Sequence, residues 1–193
     1  MRKLSLLIRI KLILCAPLVL PYLFIYLFSK KRVIIDEDIQ AWRKLRGGSS
    51  NNLAFVYRFI LLNKSFRTQF CYRMGYKAYT VLKLFLRVDI PDFLEFNDKI
   101  GGGLLFVHTY GLGISAQATI GKNCTMHQMS TIGFGKGGFP TIGDNVFIGM
   151  GAYIFGKVKV GNNVKIGAGA IVVEDVPDNC TVVGPKAKII QHQ

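Results

Sequence analysis

Two of the three histidines in the sequence, His108 and His127, are the residues best suited to chemistry. Each follows closely on a position of a six-residue repeat: His108 comes two residues after Phe106, and His127 comes one residue after Met126. An imidazole changes its charge near neutral pH, so a pair of them beside a mobile loop is a candidate active site. The third histidine, His192, is the penultimate residue.

The repeat that carries these histidines predicts the fold. An aliphatic residue returns every six positions at Ile114, Ile120, Met126, Ile132, Ile142, Ile148, Ile154, Val160, Ile166 and Val172. A small or β-branched residue follows most of them by four positions. Hexapeptide repeats of this kind are typical of a parallel β-helix, in which stacked coils bury a continuous core. We therefore expect a solenoid from Ile100 to Val176.

The repeat is interrupted twice, and both interruptions fall beside the histidines. Two extra residues precede Ile114, and ten positions rather than six separate Ile132 from Ile142, so residues 133–141 must leave the coil as a loop. The two rungs that bear the histidines are three hexads plus the two extra residues apart, which places them on equivalent faces of successive coils. The imidazoles are therefore predicted to lie near each other. For His127, a corner residue hydrogen-bonded to the adjacent coil is the alternative.

The positive charge lies in the first half of the sequence. The 193 residues include 25 Lys and Arg against 11 Asp and Glu, a formal net charge of +14. Residues 1–88 hold 17 of the basic residues and three acidic ones, whereas the remainder has eight of each. This half is expected to face anionic lipid or a phosphate-bearing, lipid-linked substrate. The alternative is a solvated basic face over an aromatic core, and no nucleic-acid module is recognisable.

The N-terminal segment predicts membrane association. An uncharged run extends from Leu12 to Ser29 with basic residues on both sides, at the lower length limit for a spanning helix. Pro17 and Pro21 would bend such a helix. A basic cluster follows the run in place of a cleavage site, which fits a secretory signal peptide poorly. We expect a segment that spans, dips into or lies along the membrane, or else a helix packed against a partner subunit.

The composition divides the chain into three parts. Residues 1–35 form the membrane-associated hydrophobic segment, residues 36–99 a helical basic region, and residues 100–193 the β-helix domain with its C-terminal tail. Within the middle part, apolar residues at helical spacing predict one long helix from Ser65 to about Val88. The expected fold class is therefore mainly β, a parallel β-helix preceded by an α-helical N-terminal region.

Several motifs together resemble a known family. They are Phe106-Val107-His108-Thr109-Tyr110-Gly111, the repeat from Ile114 to Gly133, the loop ending in Pro140-Thr141-Ile142-Gly143, and the stretch from Ile166 to Gly184. This order resembles the serine O-acetyltransferase branch of the hexapeptide-repeat acyltransferases, and within it the acetyltransferases of capsular and exopolysaccharide synthesis. The resemblance covers about residues 60 to 190. It implies a left-handed β-helix, usually trimeric, with acetyl-CoA bound along the coil between subunits and no metal.

The resemblance also implies roles for individual residues. His108, in a His-x-x-Gly motif, would be the general base toward an acceptor hydroxyl. Its acidic partner in the family precedes the first coil at a position that falls on Phe93, so the neighbouring Asp92 is the candidate. The candidates for acceptor contacts are His127, Phe139 and Tyr110. The candidates for acetyl-CoA contacts are Gly151, Ala152, Lys165, Gly167, Ala168, Lys186 and Lys188.

Two departures from the serine acetyltransferase pattern bear on the acceptor. Those enzymes have an acidic residue directly before the motif histidine, where this chain has Val107, and a histidine before the loop proline, where it has Phe139. Both positions serve the amino-acid acceptor. Their loss favours a sugar hydroxyl of a capsular or exopolysaccharide, or of its lipid-linked precursor. The expected place is the cytoplasmic face of a bacterial inner membrane, bound peripherally or monotopically.

Three other functions compete with this expectation. The first is serine O-acetylation in cysteine biosynthesis, and the second is a non-catalytic trimeric scaffold at the membrane. The third is the carbonic-anhydrase branch of the same fold, which requires three metal-binding histidines per site. It is disfavoured because only His108 and His127 are plausible ligands.

Overall fold

The computed structural model describes residues 6–47 and 51–184, with a helical part followed by a solenoid. The helices in these ranges are α1 (Leu6–Leu14), α2 (Ala16–Phe28), α3 (Arg32–Arg46), α4 (Asn52–Leu62), α5 (Lys64–Met74) and α6 (Tyr76–Leu82). Asparagine side chains cap two of them: Asn51 accepts the Ala54 N–H at 2.8 Å, and Asn63 accepts the Phe66 N–H at 2.9 Å.

The single long helix predicted from Ser65 to about Val88 is wrong. The helix starts at Lys64 under the Asn63 cap and stops at Met74, and a second helix runs only to Leu82. Gly75 separates the two with φ 85° and ψ 173°, a conformation outside the helical region. The periodic apolar residues on either side of Gly75 therefore belong to two helices that pack separately.

An aromatic core holds the helices together. Trp42 of α3 is fully buried and meets Phe66 of α5 edge to face, with ring centroids 5.9 Å apart. The buried Tyr22 of α2 donates a hydrogen bond to the Leu82 carbonyl at 2.9 Å, which ties α2 to the end of α6. One side of α2 is therefore buried, as expected if this segment is a core helix. It packs against other helices of the same chain, not against a partner subunit.

The first two helices bear on the expected membrane segment. Within residues 6–47 and 51–184, no single helix is both long and apolar enough to cross a membrane. Helices α1 and α2 meet the length and composition requirement only as a pair, and they are bent by 67° at their junction.

Short parallel strands build the solenoid. They are β1 (Leu105–Phe106), β2 (Gly113–Ile114), β3 (Thr119–Ile120), β4 (Thr125–Met126), β5 (Thr131–Gly133), β6 (Thr141–Ile142), β7 (Phe147–Ile148), β8 (Tyr153–Phe155), β9 (Lys159–Val160), β10 (Lys165–Ile166), β11 (Ile171–Val172) and β12 (Thr181–Val182). They form three sheets, ordered β1-β4-β7-β10-β12, β2-β5-β8-β11 and β3-β6-β9. The expected fold class is confirmed: a parallel β-solenoid of about four turns follows a helical region, consistent with a left-handed β-helix.

The six-residue period sets the interior of the solenoid. Each repeating aliphatic residue from Ile114 to Val172 is at most 4% exposed, and the intervening small residues such as Ala118 and Ala152 are fully buried. A parallel bridge between Leu94 and Ile114 extends the coil one hexad before Ile100. The stacked aliphatic rows thus form the core of the solenoid, and this core positions the side chains on the outside of the coils.

Both interruptions of the repeat have structural counterparts. The two extra residues before Ile114 keep β1 in register with β4, so that Phe106 pairs with Met126. The extra residues between Ile132 and Ile142 leave the coil as predicted and fold into a tight hairpin. Within it, Gly135 and Gly138 exchange two backbone hydrogen bonds of 3.1 Å.

Candidate active site

His108 lies in a cleft between the first coil and the helices. The cleft has a volume of about 520 Å³. Its walls come from the start of α5, the segment that follows α6 and the turn after β1. They include Lys64, Ser65, Asp89, Asp92, His108, Thr109 and Tyr110. The structure therefore brings the predicted base, its candidate acidic partner and one acceptor candidate to the same opening.

Two of the charged side chains in the cleft, Lys64 and Asp89, form an ion pair, whereas Asp92 stands apart from it. Lys64 Nζ lies 3.5 Å from Asp89 Oδ2, and Arg87 Nε lies 3.2 Å from the same oxygen. Asp92 is exposed, and within the described residues no hydrogen bond joins it to His108. Catalytic hydrogen bonds are often long before substrate binds. Asp92 therefore stays a prediction as the partner of His108, and the Lys64–Asp89 pair adds one charge of each sign beside the base.

His127 lies on the next coil, close to His108. The pairing of Phe106 with Met126 sets the two turns side by side. The His127 ring packs 5.1 Å from the ring of Phe147, and no hydrogen bond of the imidazole is found in the described part of the chain. Burial, and then the charge of His108, lowers the pKa of His127. The predicted proximity of the imidazoles is therefore present, and it favours a neutral His127 at neutral pH.

The acceptor candidates divide into those inside and those outside the cleft. Tyr110 lines it beside His108 and is 79% exposed. Phe139 instead contacts Phe134 in the hairpin, with ring centroids 5.2 Å apart. Val107 is half-buried against the helical core. The two residues that argued against a serine acceptor thus do not line the cleft of the single chain.

The acetyl-CoA candidates lie on the later coils. Ala168 and Lys165 are exposed, Gly151 and Gly167 are half-buried at turns, and the Ala152 side chain is fully buried in the solenoid core. Only the backbone of Ala152 could therefore reach a bound molecule. Lys186 and Lys188 lie outside the described residues.

Some residues of the site were not singled out by the repeat. Lys64, Ser65 and Asp89 come from the helical part, where the hexad spacing carries no information about the coil. Gln128 follows Met126 by two residues, as His108 follows Phe106, and it lies on the coil next to His108 without being among the residues that line the cleft. Its Oε1 is buried and finds no hydrogen-bond partner among the described residues.

Comparison with known proteins identifies the family. Residues 139–173 match the family model of the bacterial transferase hexapeptide (six repeats). The serine acetyltransferase of Helicobacter pylori is 33% identical over 144 residues, which cover 68% of this chain and 84% of that protein. The chain belongs to the hexapeptide-repeat acyltransferase family. The prediction that this hexapeptide-repeat protein is an acyltransferase is thereby confirmed.

Solved structures of the same family share the architecture. The Neisseria gonorrhoeae serine acetyltransferase in complex with serine is 29% identical, with a TM-score of 0.64 over 86% of this chain and 71% of that one. A serine acetyltransferase in complex with CoA is 28% identical, with a TM-score of 0.60 over 86% and 72% of the two chains. These hexapeptide-repeat relatives represent the serine branch rather than the expected capsular branch. They use acetyl-CoA as co-substrate, the donor that the sequence predicts.

Proposed function

We propose that this protein is an acetyl-CoA-dependent O-acetyltransferase of the serine acetyltransferase type, with His108 as the general base. The observation that carries the proposal is the position of His108 in the cleft of about 520 Å³, where Tyr110 and the oppositely charged Lys64 and Asp89 surround it. The cleft is open to solvent, so a dissolved acceptor can reach the imidazole of His108.

The chemistry needs one base and no covalent enzyme intermediate. His108 takes the proton of the acceptor hydroxyl as its oxygen attacks the thioester carbonyl of acetyl-CoA. The new C–O bond gives a tetrahedral intermediate, and its collapse breaks the C–S bond. The imidazolium returns its proton to the departing thiolate, so that the products are an O-acetyl ester and free CoA. Donors such as backbone N–H groups must stabilise the oxyanion.

L-serine is the acceptor that we propose first. The relatives support it, because the Helicobacter protein is a serine acetyltransferase and the Neisseria structure contains serine. The cleft supports it independently, since Lys64 can face a carboxylate and Asp89 can face an ammonium group. The substitutions at Val107 and Phe139 lie outside the cleft of the single chain, so they do not remove an acceptor contact there.

The direct test measures release of free CoA thiol from acetyl-CoA with and without L-serine. We expect serine to stimulate release, and His108→Ala to lower the stimulated rate by about 100-fold or more, the contribution of a general base. Equilibrium binding of acetyl-CoA serves as the control and should be unchanged in the variant. Stimulated release that survives in His108→Ala contradicts the assignment of the base.

A sugar hydroxyl is the second acceptor that we propose. The exposed ring of Tyr110 beside His108 favours it, because a flat aromatic face can pack against a sugar ring. The acceptor would then be a capsular or exopolysaccharide, or its lipid-linked precursor, at the cytoplasmic face of the inner membrane. The same thiol assay, run with nucleotide sugars and oligosaccharides instead of serine, decides between the two acceptors.

A homotrimer is the proposed assembly, since the hexapeptide-repeat fold is typically trimeric. Acetyl-CoA would lie along the later coils, near Gly151, Lys165, Gly167 and Ala168. A non-catalytic scaffold would bind partners without releasing CoA, so the thiol assay also separates that alternative.

A further inference from the structure

The helical part exposes a group of large apolar side chains, which we call the N-terminal apolar face. Its members come from α1, from the outer side of α2 and from the segment after α6. Leu7, Ile13, Leu14, Phe24, Phe28 and Leu84 are each at least 64% exposed. The hydrogen bond from Tyr22 to the Leu82 carbonyl places the last of these segments beside α2.

Helix α2 shows why this face is unusual. Val19, Tyr22 and Tyr26 are fully buried on its inner side, so α2 is already packed on the protein. A helix of that kind normally turns polar residues outward. Helix α2 has no charged residue at all, and Phe24 and Phe28 form an exposed aromatic pair with ring centroids 4.7 Å apart. Exposed apolar side chains grouped on a helix that is already packed mark a site of contact with another apolar phase.

Basic residues border the face. Lys11 on α1, Lys30 after α2 and Lys83 next to Leu84 are all exposed. Neither α1 nor α2 contains an acidic residue. Lysines around an apolar helical surface are the arrangement that binds anionic headgroups while the apolar side enters the acyl boundary. A protein partner of ordinary composition would not require this uniform sign of charge.

The shape of the two helices fits a position in the plane of the membrane. Helices α1 and α2 have 9 and 13 residues and meet at a bend of 67°. Each is shorter than the roughly 20 residues that a spanning helix needs. Two short helices joined by a bend can both lie along one surface, with their exposed leucines and phenylalanines pointing into it.

We propose that the N-terminal apolar face docks the protein on a bilayer surface that contains anionic lipid. Docking would also place the active site near the membrane. Leu84 precedes Asp89 of the cleft by five residues, which span at most about 18 Å when fully extended. Asp89 in the wall of the cleft would therefore lie within that distance of Leu84 on the docked face. The docking itself does not depend on which acceptor the enzyme uses.

The test is flotation of the full-length protein with vesicles. We expect binding to vesicles of phosphatidylcholine with phosphatidylglycerol, and at least tenfold weaker binding to phosphatidylcholine alone. Lys11→Gln and Lys30→Gln should each weaken binding by roughly fivefold. The double variant Phe24→Ser/Phe28→Ser should remove it. Because both phenylalanines are exposed, its thermal unfolding should match the wild type. Val173→Ser, at a 62% exposed solenoid residue, is the matched control and should bind normally.

Three results would overturn the proposal. The first is failure of the wild type to float with the anionic vesicles. The second is an equal loss of binding in the Val173→Ser control and in the double variant. The third is a lower molecular mass of the double variant in lipid-free buffer, which would show that the face joins copies of this chain. Release of CoA from acetyl-CoA, measured without vesicles, reports on catalysis separately.

Discussion

His127 sits one coil from His108, and its pKa is lowered first by burial and then by the charge of His108. A general base must be neutral before it accepts a proton. The lowered pKa of His127 favours a neutral imidazole beside the base at neutral pH. We expect this neutral ring to contact the acceptor, and His108 alone to take its proton.

The lowered pKa of His127 makes stability depend on pH. In the unfolded chain a histidine titrates near 6.5, so between that value and the lower native pKa the unfolded state binds more protons. Stability therefore rises with pH across this window and falls as the pH is lowered through it. We expect the wild type to lose more stability than His127→Gln between pH 7.5 and pH 5. Urea midpoints of both proteins at the two pH values measure the difference, and equal losses would contradict it.

Lys64 should recognise the charge of the acceptor rather than take part in the chemistry. Its ammonium group faces the cleft and meets Asp89 at 3.5 Å. A hydrogen bond to a charged group contributes roughly 1.5–3 kcal/mol, reduced here by solvent. We expect Lys64→Gln to raise the KM for L-serine about tenfold with little change in kcat. Serinamide, which lacks the carboxylate, is the matched control substrate. The variant and the wild type should use serinamide equally well.

At the scale of elements, a buried polar network closes the open end of the solenoid. The Asp38 carboxylate accepts the Leu104 N–H at 2.8 Å, and Gln69 Oε1 accepts the Phe106 N–H at 2.9 Å. Arg73 pairs with Asp38 at 2.8 Å and donates to the carbonyl oxygens of residues 100 and 101. These side chains take the hydrogen-bonding places of a preceding coil. The helices thus cap the first strand, and the start of α5 forms the wall of the cleft opposite His108.

The Asp38–Arg73 pair should be essential to this cap. Both side chains are at most 5% exposed, so Asp38→Asn leaves the guanidinium group buried without its counter-charge. Breaking a buried pair in this way costs about 3–5 kcal/mol. Asp98→Asn is the control, because the Lys31–Asp98 pair is exposed and contributes about 1 kcal/mol or less. Urea unfolding of the two variants should separate them, and similar midpoints would show that the network is not needed for stability.

An asparagine ladder stabilises one corner of the coils. The Asn145 side chain accepts from Asn123 at 3.3 Å and donates to Asn163 at 3.1 Å, and its φ is 57°. Asn145→Ala loses the hydrogen bonds of the ladder. It also places an alanine in the left-handed region of φ, which costs about 1–2 kcal/mol of folding free energy. Asn145→Gly loses only the ladder. We expect the alanine variant to unfold at the lower urea concentration. Equal midpoints would mean that the backbone strain is negligible.

The sequence was most informative where the structure is periodic. Ile114 and the other hexad residues predict the coil and its core, and the extra residues before Ile114 predict the neighbouring histidines. The site wall from Lys64 and Asp89 could not be predicted, because contacts between the helices and the coil depend on tertiary packing. Gly75 was the visible signal for the break between α5 and α6, and helical spacing across it was misleading.

The whole molecule presents a column of exposed apolar residues at one corner of the solenoid. Tyr110 and Met150 lie at equivalent positions of this corner, four residues before Ile114 and Ile154, and are 79% and 52% exposed. Met129, 46% exposed, lies one position further along the coil between them, where its N–H donates to the Tyr110 carbonyl at 3.0 Å. We expect this edge to be a surface between subunits, because large exposed apolar side chains recur there. Because Tyr110 also lines the cleft, a neighbouring subunit at this edge would cover part of the active site.

This column leads to a prediction that joins assembly to activity. We expect the wild type to sediment with about three times the 21.5 kDa mass of the chain. A carboxylate at Met150 would be buried without a partner in such an interface, so Met150→Glu should lower the mass and the rate of CoA release together. Thr119→Glu, exposed on β3, is the matched control and should retain both. A Met150→Glu protein of reduced mass with full activity would show that each single chain carries a complete site.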